Sequence, residues 1–145
     1  MFMRVRDWMT EDPITVEPKT SVRAAWKVMH ERHIRHLPVL EERKLVGIVT
    51  ERDLRSVQPS PATSLEIHEL HYLLDKLTVG EVMTKDVITT TPATKIVDVA
   101  RTLLRNRIGA LPVMVSGALV GIVTDTDVLE AFTATAEGAA VRQAA

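Results

Sequence analysis

Cysteine is absent from the 145 residues. Disulfide frameworks, thiolate zinc sites, iron–sulfur clusters and cysteine nucleophiles are therefore excluded. Aromatic residues make up only 3%, too few for the stacking platforms that hold single-stranded nucleic acids. Neither sign of charge prevails: 18 Lys and Arg stand against 19 Asp and Glu, for a net charge of −1. So balanced a chain carries no electrostatic footprint for nucleic acid or an anionic membrane. No apolar run approaches the roughly 18 residues of a membrane-spanning helix. The opening MFMRVRDWMTEDP lacks the apolar stretch and cleavage site of a secretion signal. A soluble, cytoplasmic protein is the expectation. Nor is there a Ser/His/Asp arrangement, a nucleophile elbow or a P-loop consensus, so no enzyme is expected.

What is present is a globular composition, 46% hydrophobic and 26% charged, at the size of one compact domain. The chain also repeats itself. Met9–Leu54 aligns with Met83–Val128 at a constant offset of 74 residues, with 18 identities in 46 positions. MTEDPITVEPKTSV faces MTKDVITTTPATKI, and IRHLPVLEERKLVGIVTERDL faces IGALPVMVSGALVGIVTDTDV. The identities concentrate in the MT openings, the LPV segments and LVGIVT, which marks a tandem duplication.

Each copy reads alike. A short β-rich piece (Ile14–Val16, Ile88–Thr90) precedes a proline and a threonine, Thr20 or Thr94, suited to capping a helix. Val22, Ala25, Trp26 and Met29 then fall at helical spacing, as do Ile96, Val99, Ala100 and Leu103. Two apolar runs joined by EERK or SGA predict a hairpin, and a second helix follows each GIVT. The fold class is α/β with α+β character: tandem repeats of order β-α-β-β-α, packed as a pseudo-twofold pair with two equivalent clefts at the seam. A copy of about 50 residues hides too little surface to stand alone.

The expected organisation is repeat 1 at 4–58, a linker with a helix at 59–77, repeat 2 at 78–132, and a frayed, alanine-rich tail at 133–145. In the linker, Thr63-Ser-Leu-Glu66 has the form of a capping box. Leu65, Leu70, Leu73, Leu74 and Leu77 make an apolar stripe that should dock on the core or on a partner chain.

The duplicated pattern, with its MT…ITV…P openings, I-x-x-LPV segments and LVGIVT-x-x-D, resembles a CBS-domain pair, or Bateman module. The linker stretch is similar to that of short bacterial acetoin-utilisation AcuB-type CBS proteins, with no room in 145 residues for the ACT-like domain those commonly carry. The resemblance implies regulation rather than catalysis. It implies that AMP, ADP, ATP or S-adenosylmethionine binds as a regulatory ligand in the seam clefts, with no required cofactor. It implies a homodimer that reports occupancy to a partner protein. An empty CBS dimer acting purely as an interaction module is the competing reading.

Thr50-Glu-Arg-Asp53 and Thr124-Asp-Thr-Asp127 stand where a strand feeds a helix. A helix start suits phosphate because its first N–H groups point outward with a partial positive charge. The threonine hydroxyl can donate to a phosphate oxygen, and the aspartate can accept from vicinal ribose hydroxyls. Gly47 and Gly121 permit close approach of a ligand or a neighbouring strand. Thr-x-x-Asp is equally a capping pattern, and the two roles need not exclude each other.

By the resemblance, one site combines Ile48, Thr50, Asp53, Arg35 and His36 with Thr84 and Ile88 of the other copy. The second combines Ile122, Thr124, Asp127, Gly109 and Ala110 with Thr10, Ile14 and Ile34. The isoleucines would sandwich an adenine. Arg35, His36 and Arg52 face Gly109, Ala110 and Thr126 in the alignment. Charge-assisted contacts to phosphate are the stronger class. Multiply phosphorylated ligands are therefore expected at the Asp53 site, and weaker binding or a preference for adenosine-like ligands at the Asp127 site. His30, His33 and His36, and His68 with His71, carry no accompanying ligand motif and read as surface or packing residues rather than a metal site.

Overall fold

Apolar residues at helical spacing followed by two strand-length runs become, in the computed structural model, one helix and one antiparallel hairpin in each copy. The structure describes residues 3–58 and 66–144. In chain order the elements are α1 (Val5–Trp8), β1 (Thr10–Glu11), α2 (Val22–Arg32), β2 (His36–Glu41), β3 (Lys44–Thr50), α3 (Glu51–Ser56), α4 (Ile67–Lys76), α5 (Val79–Val82), α6 (Ile96–Asn106), β4 (Ala110–Val115), β5 (Ala118–Thr124) and α7 (Asp125–Ala144). The α/β reading with tandem repeats holds.

The chain forms two compact units, 14–87 and 1–13 with 88–145. In the first unit β2 pairs with β3, placing His36 opposite Thr50 and Pro38 opposite Ile48. Strand alternation sends Leu37, Val39 and Val49 to one face. There they join Val22, Ala25 and Met29 of α2, Leu54 of α3 and Val79 of α5 in one core. His36, Pro38, Ile48 and Thr50 occupy the other face. Helix α4 lies against α2, with Arg23 and Asp75 paired at 3.1 Å. Leu74 and Leu77 pack on the core, whereas Leu73 of the expected stripe is exposed. Leu65 and Thr63 lie outside the described residues, and α4 begins at Glu66 without a side-chain cap.

The second unit has the sheet order β1-β5-β4. Leu111, Val113 and Val123 face a core completed by Val5, Ile96, Val99, Leu103 and Ala131. Ala110, Pro112, Ile122 and Thr124 take the opposite face. Both hairpins break register at the same place, between Val39 and Leu40 and between Val113 and Met114. Their two-residue turns, Glu42-Arg43 and Ser116-Gly117, hold positive φ at both positions, the primed geometry that matches strand twist. Helix α7 continues through the first twelve residues of the tail segment as far as Ala144.

Three local details differ from the sequence reading. The β-rich pieces reduce to single parallel bridges, Val16 with Val39 and Thr90 with Val113. Pro18 and Pro92 follow so closely, without N–H donors, that the ladder cannot extend. Thr20 and Thr94 do not cap helices. The Thr20 hydroxyl accepts from the Glu17 N–H at 3.2 Å and that of Thr94 from Thr91 at 3.4 Å, closing the turn before each helix. The cap of α2 is Ser21, which accepts from the Ala24 N–H at 3.0 Å. Finally, each MT opening is preceded by a four-residue helix, α1 or α5. The Arg4 N–H is held by Asp7 and the Thr78 N–H by Glu81. One turn is too short for periodicity to reveal.

Candidate functional site

Thr50 ends β3 and caps α3, and the next three residues turn its neighbour Asp53 back toward it. The Asp53 N–H donates to Thr50 Oγ1 at 3.1 Å, and the Thr50 N–H donates to Asp53 Oδ2 at 2.9 Å. Copy 2 repeats the arrangement. The Thr124 N–H reaches Asp127 Oδ2 at 2.8 Å, the Asp127 N–H reaches Thr124 Oγ1 at 3.4 Å, and the Thr124 hydroxyl lies 3.2 Å from the same Oδ2. Both are reciprocal capping boxes. Each aspartate is half-buried, and its second oxygen, Oδ1, has no partner among the described residues.

The helix starts are less open than the sequence suggested. The Glu51 N–H donates to the Arg35 carbonyl at 2.9 Å and the Asp125 N–H to the Gly109 carbonyl at 2.9 Å. Those carbonyls belong to the residues just before β2 and β4. The resemblance names Arg35 and Gly109 for the two sites but not this main-chain role, which follows from the hairpin register that sets His36 opposite Thr50 and Ala110 opposite Thr124. Arg35 and Arg52 are exposed, while His36 is half-buried.

The glycines explain the remaining geometry. A Cβ on Gly47 would stand 2.5 Å from Met83 Sδ and 2.9 Å from the Thr84 carbonyl oxygen. One on Gly121 would stand 2.8 Å from both Met9 Sδ and the Thr10 carbonyl oxygen. The close neighbour is thus the MT segment. Thr84 and Ile48 exchange main-chain bonds of 2.9 and 3.0 Å, and Thr10 pairs with Ile122.

One unit therefore gathers Arg35, His36, Ile48, Thr50, Asp53 and Thr84, and Ile88 belongs to the other. The second unit gathers Thr10, Gly109, Ala110, Ile122, Thr124 and Asp127, whereas Ile14 and Ile34 belong to the first. Ile48 and Ile122 are buried, Ile34 is half-buried, and Ile14 and Ile88 are exposed. His30 lies against Trp26, ring centroids 4.3 Å apart, and His33 ends α2 in the left-handed conformation. Among the described residues no group of three or more His, Asp or Glu could hold a metal ion, and no helix is long and apolar enough to cross a membrane.

Known proteins share both motif and fold. The CBS domain model matches residues 5–60 and again 79–134. The uncharacterized protein MJ1225 of Methanocaldococcus jannaschii is 34% identical over 131 residues, covering 87% of this chain and 41% of that protein. The inosine-5'-monophosphate dehydrogenase of Korarchaeum cryptofilum is 37% identical over 126 residues, 86% of this chain but 23% of the enzyme. The chain thus spans less than half the length of these curated relatives.

Among solved structures, the CBS domain pair of protein MJ0100, in complex with 5-methylthioadenosine and S-adenosyl-L-methionine, superposes with a TM-score of 0.77 at 29% identity, covering 93% of this chain and 99% of that one. A putative acetoin utilization protein (AcuB) from Vibrio cholerae gives 0.76 at 31% identity, covering 94% and 95%. CBSX2 in complex with AMP gives 0.75 at 31% identity, covering 92% and 98%. With two matched repeats covering most of its length, the chain belongs to the CBS domain family.

Proposed function

We propose that this protein is a non-catalytic, cytoplasmic regulatory module that binds adenosine-type nucleotides and signals to a partner protein, acting as a homodimer. The observation that carries the reading is the twice-built Thr–Asp junction. A half-buried carboxylate held by its own capping box keeps Oδ1 available, aimed by bonds that already fix its rotamer. Pre-organised acceptors of this kind suit a ribose diol, because little entropy remains to be lost on binding. The relatives solved with AMP, and with 5-methylthioadenosine and S-adenosyl-L-methionine, support an adenosine-containing ligand of the same class.

Under this reading the Asp53 site, with Arg35, His36 and Arg52, favours multiply phosphorylated ligands. The Asp127 site, with Gly109, Ala110 and Thr126, favours adenosine-like ones. The apolar contribution comes from Ile48 at the first site and from Ile122 at the second, with the MT segment residues Thr84 and Thr10 paired beside them.

Calorimetric titration of ligand-free protein with AMP, ADP, ATP and S-adenosylmethionine tests the proposal. Because Asp53 and Asp127 also cap helices, alanine substitution lowers stability by about 1 kcal/mol. Asp53→Asn and Asp127→Asn keep a capping oxygen and remove the charge, so they report on binding. ATP binding is expected to weaken more in Asp53→Asn than in Asp127→Asn. Equal losses would sink the division between sites, and no heat with any ligand would sink the sensor reading.

A second reading has one observation in its favour: the capping boxes already account for Thr50, Asp53, Thr124 and Asp127. A ligand-free interaction module then leaves partner binding unchanged when both aspartates become asparagine.

A further inference from the structure

The turn before α6 has the same main chain as the turn before α2 but a different charge. In repeat 2 it is Thr91-Pro92-Ala93-Thr94, and α1 lies along it. The Arg6 N–H donates to the Pro92 carbonyl at 3.0 Å and the Val5 N–H to that of Thr94 at 2.9 Å. Arg4 Nη1 donates to the Ala93 carbonyl at 2.7 Å, and Arg4 forms a main-chain bridge with Lys95. Arg4, Arg6 and Lys95 are thus gathered at one turn, with Asp7 the one carboxylate on α1. Asp98, further along α6, is paired with Arg101.

Repeat 1 builds the turn alike. The Gly80 N–H donates to the Pro18 carbonyl at 3.0 Å and the Val79 N–H to that of Thr20 at 2.8 Å. Yet Thr78, Gly80 and Ser21 stand where repeat 2 has Arg4, Arg6 and Lys95, with Glu81 in place of Asp7. The turn therefore folds without the three cations, whose mutual repulsion opposes compactness. A further exchange runs the other way. Exposed Glu17 of repeat 1 becomes exposed Thr91 in repeat 2. The acid stands where the cations are absent, and the cations gather where the acid is absent. Repeat 1 shows that the turn accommodates an anionic group at this position.

The donors suit an oxyanion. Thr91 Oγ1 and Thr94 Oγ1 lie 2.9 Å apart. Whichever donates to the other, one hydroxyl proton of the pair is left over. Guanidinium groups add charge-assisted bonds, the stronger class. Three cations fall short of the roughly four to eight Lys and Arg of a lipid-binding cluster, which leaves a small anion as the occupant.

We infer that the turn at 91–94, with Arg4, Arg6 and Lys95, is a binding site for a phosphate-type oxyanion, either inorganic phosphate or a phosphate monoester. It is built of other residues than the Thr–Asp junctions and does not depend on the nucleotide reading. By joining α1 to this turn, the bound anion secures the segment in which Thr10 pairs with Ile122.

Thermal unfolding of the full chain in inorganic phosphate, with ionic strength matched by chloride, tests this. The parent midpoint should rise by about 4 °C at roughly ten times the dissociation constant. Arg6→Gln withdraws an exposed cation, and Thr91→Glu brings in the acid of repeat 1. In both variants the phosphate shift should shrink at least about threefold. Thr91→Glu should also raise the midpoint without phosphate, since its own carboxylate takes the place of the anion. No shift beyond that of chloride, or an equal shift in the parent and both variants, overturns the site. So does a phosphate shift that disappears in Asp53→Asn but survives both variants, which places the anion at the proposed nucleotide site instead.

Discussion

Gly47 and Gly121 are held to glycine by what passes over them. A methyl group at either position meets a methionine sulfur, which can swing aside, and a main-chain carbonyl oxygen, which cannot. Gly47→Ala should therefore destabilise by about 1–3 kcal/mol, the usual range for overpacking, read as a lower urea midpoint. Adding Met83→Ala removes the sulfur but leaves the Thr84 oxygen 2.9 Å from the new carbon, so it should not restore stability. Full rescue would show that the side chain, not the backbone, sets the constraint. At the same scale, Asp53 and Asp127 combine a structural bond at Oδ2 with an Oδ1 that has no partner among the described residues. The sequence reading treated capping and ligand contact as compatible, and under the proposed function the two roles fall on different oxygens.

Helices α2 and α6 end alike, on residues that the left-handed conformation ordinarily disfavours. His33 has φ 54° and ψ 43°, and Arg107 has φ 54° and ψ 46°. A side chain in that region costs about 1–2 kcal/mol, part of which glycine returns through the entropy of the unfolded chain. His33→Gly and Arg107→Gly should each stabilise by about 0.5–1 kcal/mol, raising the thermal midpoint. A drop in either would mean that its side chain holds contacts worth more than the strain. The helices themselves were legible from Val22, Ala25 and Met29 and from Ile96, Val99 and Leu103, all buried. Their caps were not. A threonine before a helix and a serine one residue later have the same chemistry, and the bond to Glu17 or Ala24 depends on the turn between them.

At the scale of the molecule, a ligand that binds only the folded protein must stabilise it. At a free concentration about a hundred times the dissociation constant the gain is about 2.7 kcal/mol per site. The proposed sensor thus predicts a thermal shift with ATP that shrinks in Asp53→Asn. An unchanged midpoint with every adenosine ligand would favour the interaction module.

The sequence by itself determined the duplication, the α/β class, the two hairpins and the placement of Thr50, Asp53, Thr124 and Asp127 at strand-to-helix junctions. Those features are local, written in periodicity and in a constant offset. The resemblance implied which hairpin each MT segment accompanies, but only the tertiary structure gave the main-chain pairing that joins them. Thr84 pairs with Ile48 and Thr10 with Ile122, so each opening completes the sheet of the other repeat. The two openings are alike and so are the two hairpins. No local chemistry distinguishes one pairing from its alternative; the choice rests on how the whole chain closes.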